Sequence, residues 1–198
     1  MKKETLQVIK KRHSVRIFRD EPLSCSNLMT ILEAANQAPS AHNQQSWKFF
    51  IITGNKKEEL TSIVSKAAEN FPRPSSTLLR MAGRSIHSAP VIIAVVNTGE
   101  LINSGTMLYK VQQEQARDFF RTMEIQSSAA AVENMLLAAT SLGIGTVWLG
   151  ILFLIKAQVL EFLQQPGGEF MAVIPLGYPV RISKGPRKKN LAEMIHYI

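Results

Sequence analysis

The sequence predicts an α/β layered domain with a mostly central sheet, and two observations carry that prediction. Segments with helical spacing of apolar residues alternate with short β-branched runs, without a repeat or a low-complexity tract. The chain has 198 residues, of which 45% are hydrophobic and 19% charged, and this is enough to enclose a sizeable core. We therefore expect one domain that spans residues 1–198.

The first third of the chain begins with two helices and a strand. Residues 3–12 are predicted to form the first helix. Ser26 is predicted to cap a second helix that runs to about Ala38, and Pro39 stops it because proline disfavours a helical residue before it. The apolar run over 49–53 predicts a strand.

Two further segments precede the next strand. Asn55, followed three residues later by Glu58, predicts a capped helix. Residues 70–89 contain Pro and Gly breakers, and we expect them to form a surface excursion with a short helix at its middle. This excursion carries three arginines, which are Arg73, Arg80 and Arg84.

The second half of the chain holds the strongest candidates for buried elements. Residues 91–96 are a continuous β-branched run, which predicts a strand buried on both faces. Residues 127–142 are Ala-rich and nearly apolar all round, which predicts a helix buried on every side, with Gly143 as its left-handed cap. The remaining predicted elements are a helix over 112–123, a helix over 155–164, a strand over 170–176, and a short helix or extended arm over 190–198.

The charge balance limits the classes of function. The formal net charge is +8 and the pI is about 9.8, which suits a nucleic-acid binder or an enzyme for anionic cofactors and nucleotides. The basic residues are spread along the chain, and we find no basic helix with interleaved aromatics and no recognisable nucleic-acid motif. This distribution favours an enzyme.

Cysteine content and the chain terminus indicate the compartment. Cys25 is the single cysteine, so an intramolecular disulfide is excluded and no redox pair is predicted. The amino terminus is charged and does not resemble a secretory signal, and no apolar stretch near a terminus is long enough to span a bilayer. We therefore expect a cytoplasmic protein.

The most informative segment is the pentad Arg12-His13-Ser14-Val15-Arg16. A guanidinium fork matches a phosphate dianion, and hydroxyl and imidazole groups add further donors. In an extended stretch alternate side chains share a side, so Arg12, Ser14 and Arg16 would together form an anion cradle. The alternative is a solvated basic turn after a helix.

The pentad and four further segments together carry a family resemblance. These segments are APSAHNQQSW (38–47), GIGTVWLG (143–150), IPLGYP (174–179) and GPRKKNLAEMIHYI (185–198). In this order they resemble the FMN-dependent nitroreductase family, and the resemblance covers essentially the whole chain. It implies a three-layer α/β/α sandwich with a central mixed sheet and a homodimer in which a C-terminal arm crosses to the partner subunit.

The same resemblance implies how the cofactor FMN would be held. Its phosphate would be bound by the pentad and the C-terminal segment, the pyrimidine edge of its ring by Arg16, and the ring itself by backbone of residues 149 and 150. The loop after the second helix would approach the FMN of the partner subunit. The cofactor-binding residues so implied are Arg12, His13, Ser14, Arg16, Pro39, Ser40, Asn43, Leu149, Gly150 and Arg187.

The chain also departs from the family pattern. Gly185 stands where the family often has Lys, Asn190 replaces a usual Pro, and Glu133 replaces a frequent Gln. For Lys184 and Lys189, a cofactor contact and a solvated side chain are both compatible with the sequence. For Ser40 and Asn43, ordinary helix termination is the alternative, whereas Trp47 and Trp148 are interpreted as core residues.

No catalytic side chain is predicted beyond the flavin itself. The Gly143-Ile144-Gly145-Thr146 run follows a helix and lacks the third glycine at Trp148, so it is not a dinucleotide-binding fingerprint. We see no nucleophile–base pair and no metal-ligand spacing among the histidines. A flavin supplies its own redox chemistry, so this absence is compatible with the resemblance.

The resemblance therefore implies an NAD(P)H-dependent oxidoreductase that reduces an organic acceptor such as a nitroaromatic or a quinone by a ping-pong mechanism. The alternative is a non-catalytic FMN-binding or sensor protein of the same fold. In the enzyme, the excursion over 70–89 is a candidate mobile wall for the nicotinamide phosphates, with a plain solvated loop as the other interpretation.

Overall fold

The computed structural model describes residues 2–108, 112–181 and 183–198. Helices and strands alternate along these residues, and short 3₁₀ turns lie at Ala41–Asn43, Gly150–Ile155 and Leu191–Glu193. The helices are α1 (Lys2–Lys11), α2 (Cys25–Asn36), α3 (Gly54–Glu69), α4 (Ser75–Ser88), α5 (Glu100–Leu108), α6 (Gln113–Ser141) and α7 (Lys156–Phe162). The strands are β1 (Trp47–Ile52), β2 (Val91–Asn97), β3 (Gly145–Thr146) and β4 (Glu169–Gly177).

The sheet has the strand order β1-β2-β4-β3, and each of these neighbouring pairs is antiparallel. Among the described residues, the parallel component of the predicted mixed sheet is an isolated bridge between Ser14 and Thr146. The helices and this mostly antiparallel sheet give an α+β fold.

Helices cover both faces of the sheet and give it three layers. Alternate residues of β2 point to opposite faces, so Ile92 packs with Leu60 of α3 and Leu79 of α4, whereas Ile93 packs with Met135 of α6. Every residue of β2 is buried, as the continuous β-branched run predicts. The core therefore has two halves separated by the sheet.

The prediction of two helices between 112 and 142 is wrong, because α6 is a single helix of 29 residues. The residues between the two predicted helices, Glu124 to Gln126, contain neither Pro nor Gly, so nothing in the backbone breaks the helix there. Gly143 has a φ of 74°, which confirms it as a left-handed residue after the helix.

The predicted excursion over 70–89 is also wrong in length and in burial. It contains the 14-residue helix α4, whose Leu79 and Ile86 are fully buried against the sheet. Apolar side chains at helical spacing outweigh the helix-weakening effect of Gly83, which is buried where α4 meets α3. An element fastened in this way does not fit the interpretation of a mobile wall.

Two predicted helix caps lie elsewhere. Ser24, and not Ser26, caps α2, because its Oγ accepts a hydrogen bond from the amide of Asn27 at 3.1 Å. The N-cap of α3 is Thr53, and Asn55 lies within the first turn. In both cases the capping residue lies two positions before the predicted one.

A buried carboxylate joins α6 to α5. Glu124 is 1% exposed, and its Oε1 accepts a hydrogen bond from the amide of Leu101 at 2.8 Å, within the first turn of α5. Burial raises the pKa of Glu124 above its usual range, and hydrogen bonds from the backbone of α5 partly oppose that rise. The carboxylate therefore fastens the start of α5.

The C-terminal segment lies on the surface. Residues 183–198 are exposed, including the large apolar side chains of Leu191, Met194 and Tyr197. Of the two predicted alternatives for 190–198, an extended arm with one 3₁₀ turn is observed. In the described part of the chain, no helix combines the length and the apolar character that crossing a membrane requires.

Candidate functional site

The pentad lies beside the edge of the sheet. Directly after α1 the chain becomes extended, and the amide of Val15 donates to the carbonyl of Thr146 in β3 at 2.8 Å. Further along, the amide of Arg19 donates to the carbonyl of Tyr178 at 2.8 Å, just after β4. The pentad is therefore held by backbone hydrogen bonds and is not a free turn.

The side chains of the pentad alternate between the core and solvent. Val15 packs against the core, and a Cβ on Gly145 would lie 2.8 Å from the Cβ of Val15, which is too close for any side chain there. Ser14 and Arg16 are exposed on the opposite side. Gly145 thus permits a close approach that fixes the direction of the polar side chains.

Arg12 is the most enclosed cation of this group. Its side chain is 22% exposed, and its Nε lies 3.9 Å from Oε1 of Glu133 on α6. A contact of this length at a half-open position is weak. Glu133 therefore places a negative charge beside the predicted phosphate cradle, where the family often has a neutral Gln.

His13 connects the pentad to the C-terminal segment. Its Nδ1 lies 2.8 Å from the carbonyl oxygen of Lys11, and its Nε2 lies 3.1 Å from Oγ of Ser183. Gly185 also passes close to this ring, because a Cβ at that position would lie 2.9 Å from the Cβ of His13. Both ring nitrogens are used within the chain, so His13 orders the site and does not offer a free donor to a ligand.

Arg187 follows two residues after Gly185, whose backbone lies against His13 of the pentad. Arg187 itself is exposed. The link through Ser183 was missed by the sequence reasoning, since a lone serine carries no local signal for a partner 170 residues away.

The backbone at 149 and 150 differs in how open it is to a ligand. The amide of Leu149 donates to the carbonyl of Val173 at 3.0 Å, so it is already used within the sheet layer and is not available to a ring. Gly150 is exposed, and a Cβ placed on it would meet no atom within 4 Å. Space for a planar ligand therefore exists at Gly150.

The loop after α2 has an unusual backbone. His42, Asn43 and Gln45 have φ values of 52°, 53° and 52°, in the left-handed region that residues other than glycine rarely adopt. Oγ of Ser40 accepts from the amide of Gln45 at 3.1 Å, and the loop is fastened to α6 by a bond from the amide of Ala41 to Oγ of Ser127 at 3.1 Å. Such clustered strain is typical of functional loops.

The loop and the pentad are not joined by a hydrogen bond within the described residues. Pro39 and Asn43 are exposed and Ser40 is half-buried, so all three can be reached from outside. Trp47, by contrast, is buried, and its Nε1 donates to Oδ1 of Asn36 at 3.1 Å, which confirms it as a core residue. Trp148 is half-buried against the same half of the core.

Asn134 is a half-buried amide on α6. Its Nδ2 donates to the carbonyl of Ala34 at 3.1 Å and so joins α6 to α2. The side chain satisfies a backbone group inside the protein and has no role at the pentad.

The fold and the site together define a three-layer α+β protein with a cationic, hydroxyl-bearing surface at one sheet edge, suited to a phosphate group. The chain belongs to the nitroreductase family, whose model matches residues 9–178, and it is an oxidoreductase of the nitroreductase type.

Relatives of known sequence or structure agree with this assignment. A protein of Archaeoglobus fulgidus, provisionally named an NADH dehydrogenase/NAD(P)H nitroreductase, is 29% identical over 89% of this chain and 86% of its own length. A provisionally named nitroreductase from Desulfovibrio desulfuricans, solved in complex with FMN, is 29% identical with a TM-score of 0.71, covering 98% of this chain and 96% of its own. NfrA2 of B. megaterium is 20% identical, and its structure matches with a TM-score of 0.78 over 98% of this chain and 73% of its own. At this identity the match supports the fold alone.

Proposed function

We propose that the protein is an FMN-dependent oxidoreductase that takes hydride from NADH or NADPH and reduces an organic acceptor such as a nitroaromatic or a quinone. The observation that carries the proposal is the ordered pentad beside β3. The Desulfovibrio relative, similar over nearly the whole chain, was solved with FMN. We further propose that residues 1–198 form one FMN-binding domain.

At the phosphate end, we assign Arg12, Ser14 and Arg187 to the FMN phosphate. Ser14 is exposed on the side opposite the core-facing Val15. Arg187 lies two residues beyond Gly185, which packs on His13 of the pentad. Charge-assisted hydrogen bonds from two guanidiniums and a hydroxyl suit a phosphate dianion. Glu133 opposes this charge, so the affinity of the site depends on the balance between Arg12 and Glu133.

At the ring end, we assign Arg16 to the pyrimidine edge and Gly150 to a backbone contact. The open space at Gly150 fits a flat ring, whereas Leu149 is assigned only a packing role because its amide is already used. When bound, FMN supplies the hydride and electron transfer chemistry, and the protein supplies binding, orientation and positive charge.

We propose a homodimer that completes the site. Pro39, Ser40 and Asn43 are accessible, and their loop makes no hydrogen bond to its own pentad within the described residues, as expected if it serves the partner's FMN. The arm over 190–198 exposes Leu191, Met194 and Tyr197, which an isolated chain would leave in water. A partner subunit would cover these apolar side chains.

Steady-state kinetics test the enzymatic proposal. The described residues contain no second dinucleotide-binding fold, so donor and acceptor would use the same open face of FMN and one must leave before the other enters. We expect parallel double-reciprocal lines when the nicotinamide is varied at several fixed acceptor concentrations. Intersecting lines would contradict a shared face and require a ternary complex.

A further inference from the structure

A second cationic cleft lies away from the pentad, between α3 and α4. The two helices pack against each other and leave an open cleft with a volume of about 600 Å³. It shares no lining residue with the pentad, β3 or the C-terminal segment. Its side chains include Ser65 and Glu69 from α3, Arg73 before α4, and Arg80, Arg84 and His87 from α4.

The lining of this cleft carries three arginines and one carboxylate, Glu69, so its positive charge is only partly offset. No acidic residue occurs between Glu69 and Glu100, and the arginines of this stretch make no ion pair among residues 2–108, 112–181 and 183–198. Arg80 and Arg84 are four residues apart on one helix, so their charges repel each other. An anion between them would remove that repulsion.

Glu58, which contacts the lining residue His87, already has partners for both of its carboxylate oxygens. Oε2 of Glu58 lies 2.9 Å from Nδ1 of His87, and Oε1 lies 3.3 Å from Nζ of Lys57. The hydrogen bond from His87 is the main reason that the pKa of Glu58 is lowered. Glu58 is therefore engaged with His87 and Lys57, and it makes no ion pair with Arg80 or Arg84 among the described residues.

The floor of the cleft depends on a glycine in the middle of α4. A Cβ on Gly83 would lie 3.3 Å from Oγ of Ser65, which is closer than nearly all contacts of real Cβ atoms. The absence of that side chain lets the helices approach, and the Ser65 hydroxyl lines the same cleft as the arginines. The cleft thus combines guanidinium forks with a hydroxyl donor, the donor set that phosphate groups prefer.

We propose that this cleft binds the phosphate groups of a small phosphorylated molecule. Its volume exceeds what one phosphate needs and lies within the range of roughly 300–1,000 Å³ typical of small-molecule sites. The concave shape between two helices favours a compact ligand over an extended nucleic acid, and Glu69 at the wall disfavours a ligand that is anionic throughout its length. The site would be separate from the one proposed for FMN.

Pyrophosphate is the probe for this proposal. It is titrated calorimetrically into the full-length protein in excess FMN, at an ionic strength of about 0.15 M, so that the pentad is already supplied with a phosphate ligand. We expect saturable binding of one pyrophosphate per chain. The double variant Arg80→Gln/Arg84→Gln should weaken it about tenfold or more, since each guanidinium supplies a charge-assisted bond.

The matched control is Lys48→Gln/Lys66→Gln, which removes the same charge from exposed positions outside the cleft. This control should keep the affinity within about twofold, and circular dichroism checks that both double variants are folded. An absence of saturable binding, or an equal loss in both double variants, would overturn the proposal. Displacement of pyrophosphate by a short DNA duplex at lower concentration would also overturn it, in favour of a nucleic-acid surface. None of these three outcomes depends on flavin reduction.

Discussion

At the scale of single residues, Arg12 decides whether the pentad is a phosphate site. A charge-assisted hydrogen bond contributes about 1.5–3 kcal/mol, so Arg12→Ala should weaken FMN binding roughly 10- to 150-fold. Riboflavin lacks the phosphate and should lose little affinity from the same change. Titration of the apoprotein with each ligand, followed by quenching of flavin fluorescence, measures both affinities.

The matched variant is Glu133→Gln. It removes the negative charge 3.9 Å from Nε of Arg12 and leaves the guanidinium in place, so FMN binding should stay equal or become tighter. Equal losses for FMN and riboflavin in Arg12→Ala would mean that Arg12 is structural. A large loss of FMN in Glu133→Gln would mean that the carboxylate, and not the cation, organises the site.

At the scale of elements, local sequence patterns identified β1, β2, β4 and most of the helices, missed α5 and β3, and did not fix how far each element extends. β2 was predictable because its β-branched run has no competing interpretation, and the end of α6 was predictable from Gly143. The length of α4 was not, because Gly83 and the flanking prolines indicate a break, while burial of Leu79 and Ile86 stabilises the helix through tertiary packing.

In the candidate site, too, only the features carried by local sequence could be predicted. The pentad was recognisable because its side chains are adjacent in sequence and carry their chemistry with them. The hydrogen bond from the Leu149 amide to Val173, and the hydrogen bond between His13 and Ser183, depend on which segments the fold brings together. Neither partner can be read from local sequence.

The junction of α5 and α6 gives a prediction about pH and stability. Burial raises the pKa of Glu124 above 4.5, so the folded protein keeps a proton at pH values where the unfolded chain has released it. Its contribution to the free energy of unfolding therefore falls as the pH rises from about 4.5 through the folded pKa, and is constant above it. Ionised Glu124 destabilises the fold relative to the protonated form.

Glu124→Gln removes this titration and keeps an oxygen for the Leu101 amide. We expect the variant to gain stability relative to the wild type as the pH rises through that window, by about 1.4 kcal/mol for each pH unit by which the pKa is raised. Thermal unfolding at a series of pH values measures the difference, with Glu161→Gln on an exposed helix surface as the control. A pH-independent difference would show that folding does not raise the pKa of Glu124.

At the scale of the whole molecule, the exposed arm predicts an assembly. Removing residues 190–198 should weaken both dimerisation and FMN binding, because the arm's apolar residues would pack on the partner and the partner's loop would complete the site. Light scattering should give a dimer for the full chain down to low micromolar concentration and a smaller species for the truncated one. A stable monomer that binds FMN with unchanged affinity would remove Ser40 and Asn43 from the proposed site.

The family and the fold are established at this scale, and hydride transfer through a bound flavin is the central claim that follows from them. Anaerobic titration of the FMN-loaded protein with NADH and with NADPH, followed by the flavin absorbance, tests it most directly. We expect at least one of the two nicotinamides to bleach the bound flavin stoichiometrically and far faster than it bleaches free FMN. If neither nicotinamide reduces the bound flavin faster than free FMN, the proposed hydride transfer from NADH or NADPH is wrong.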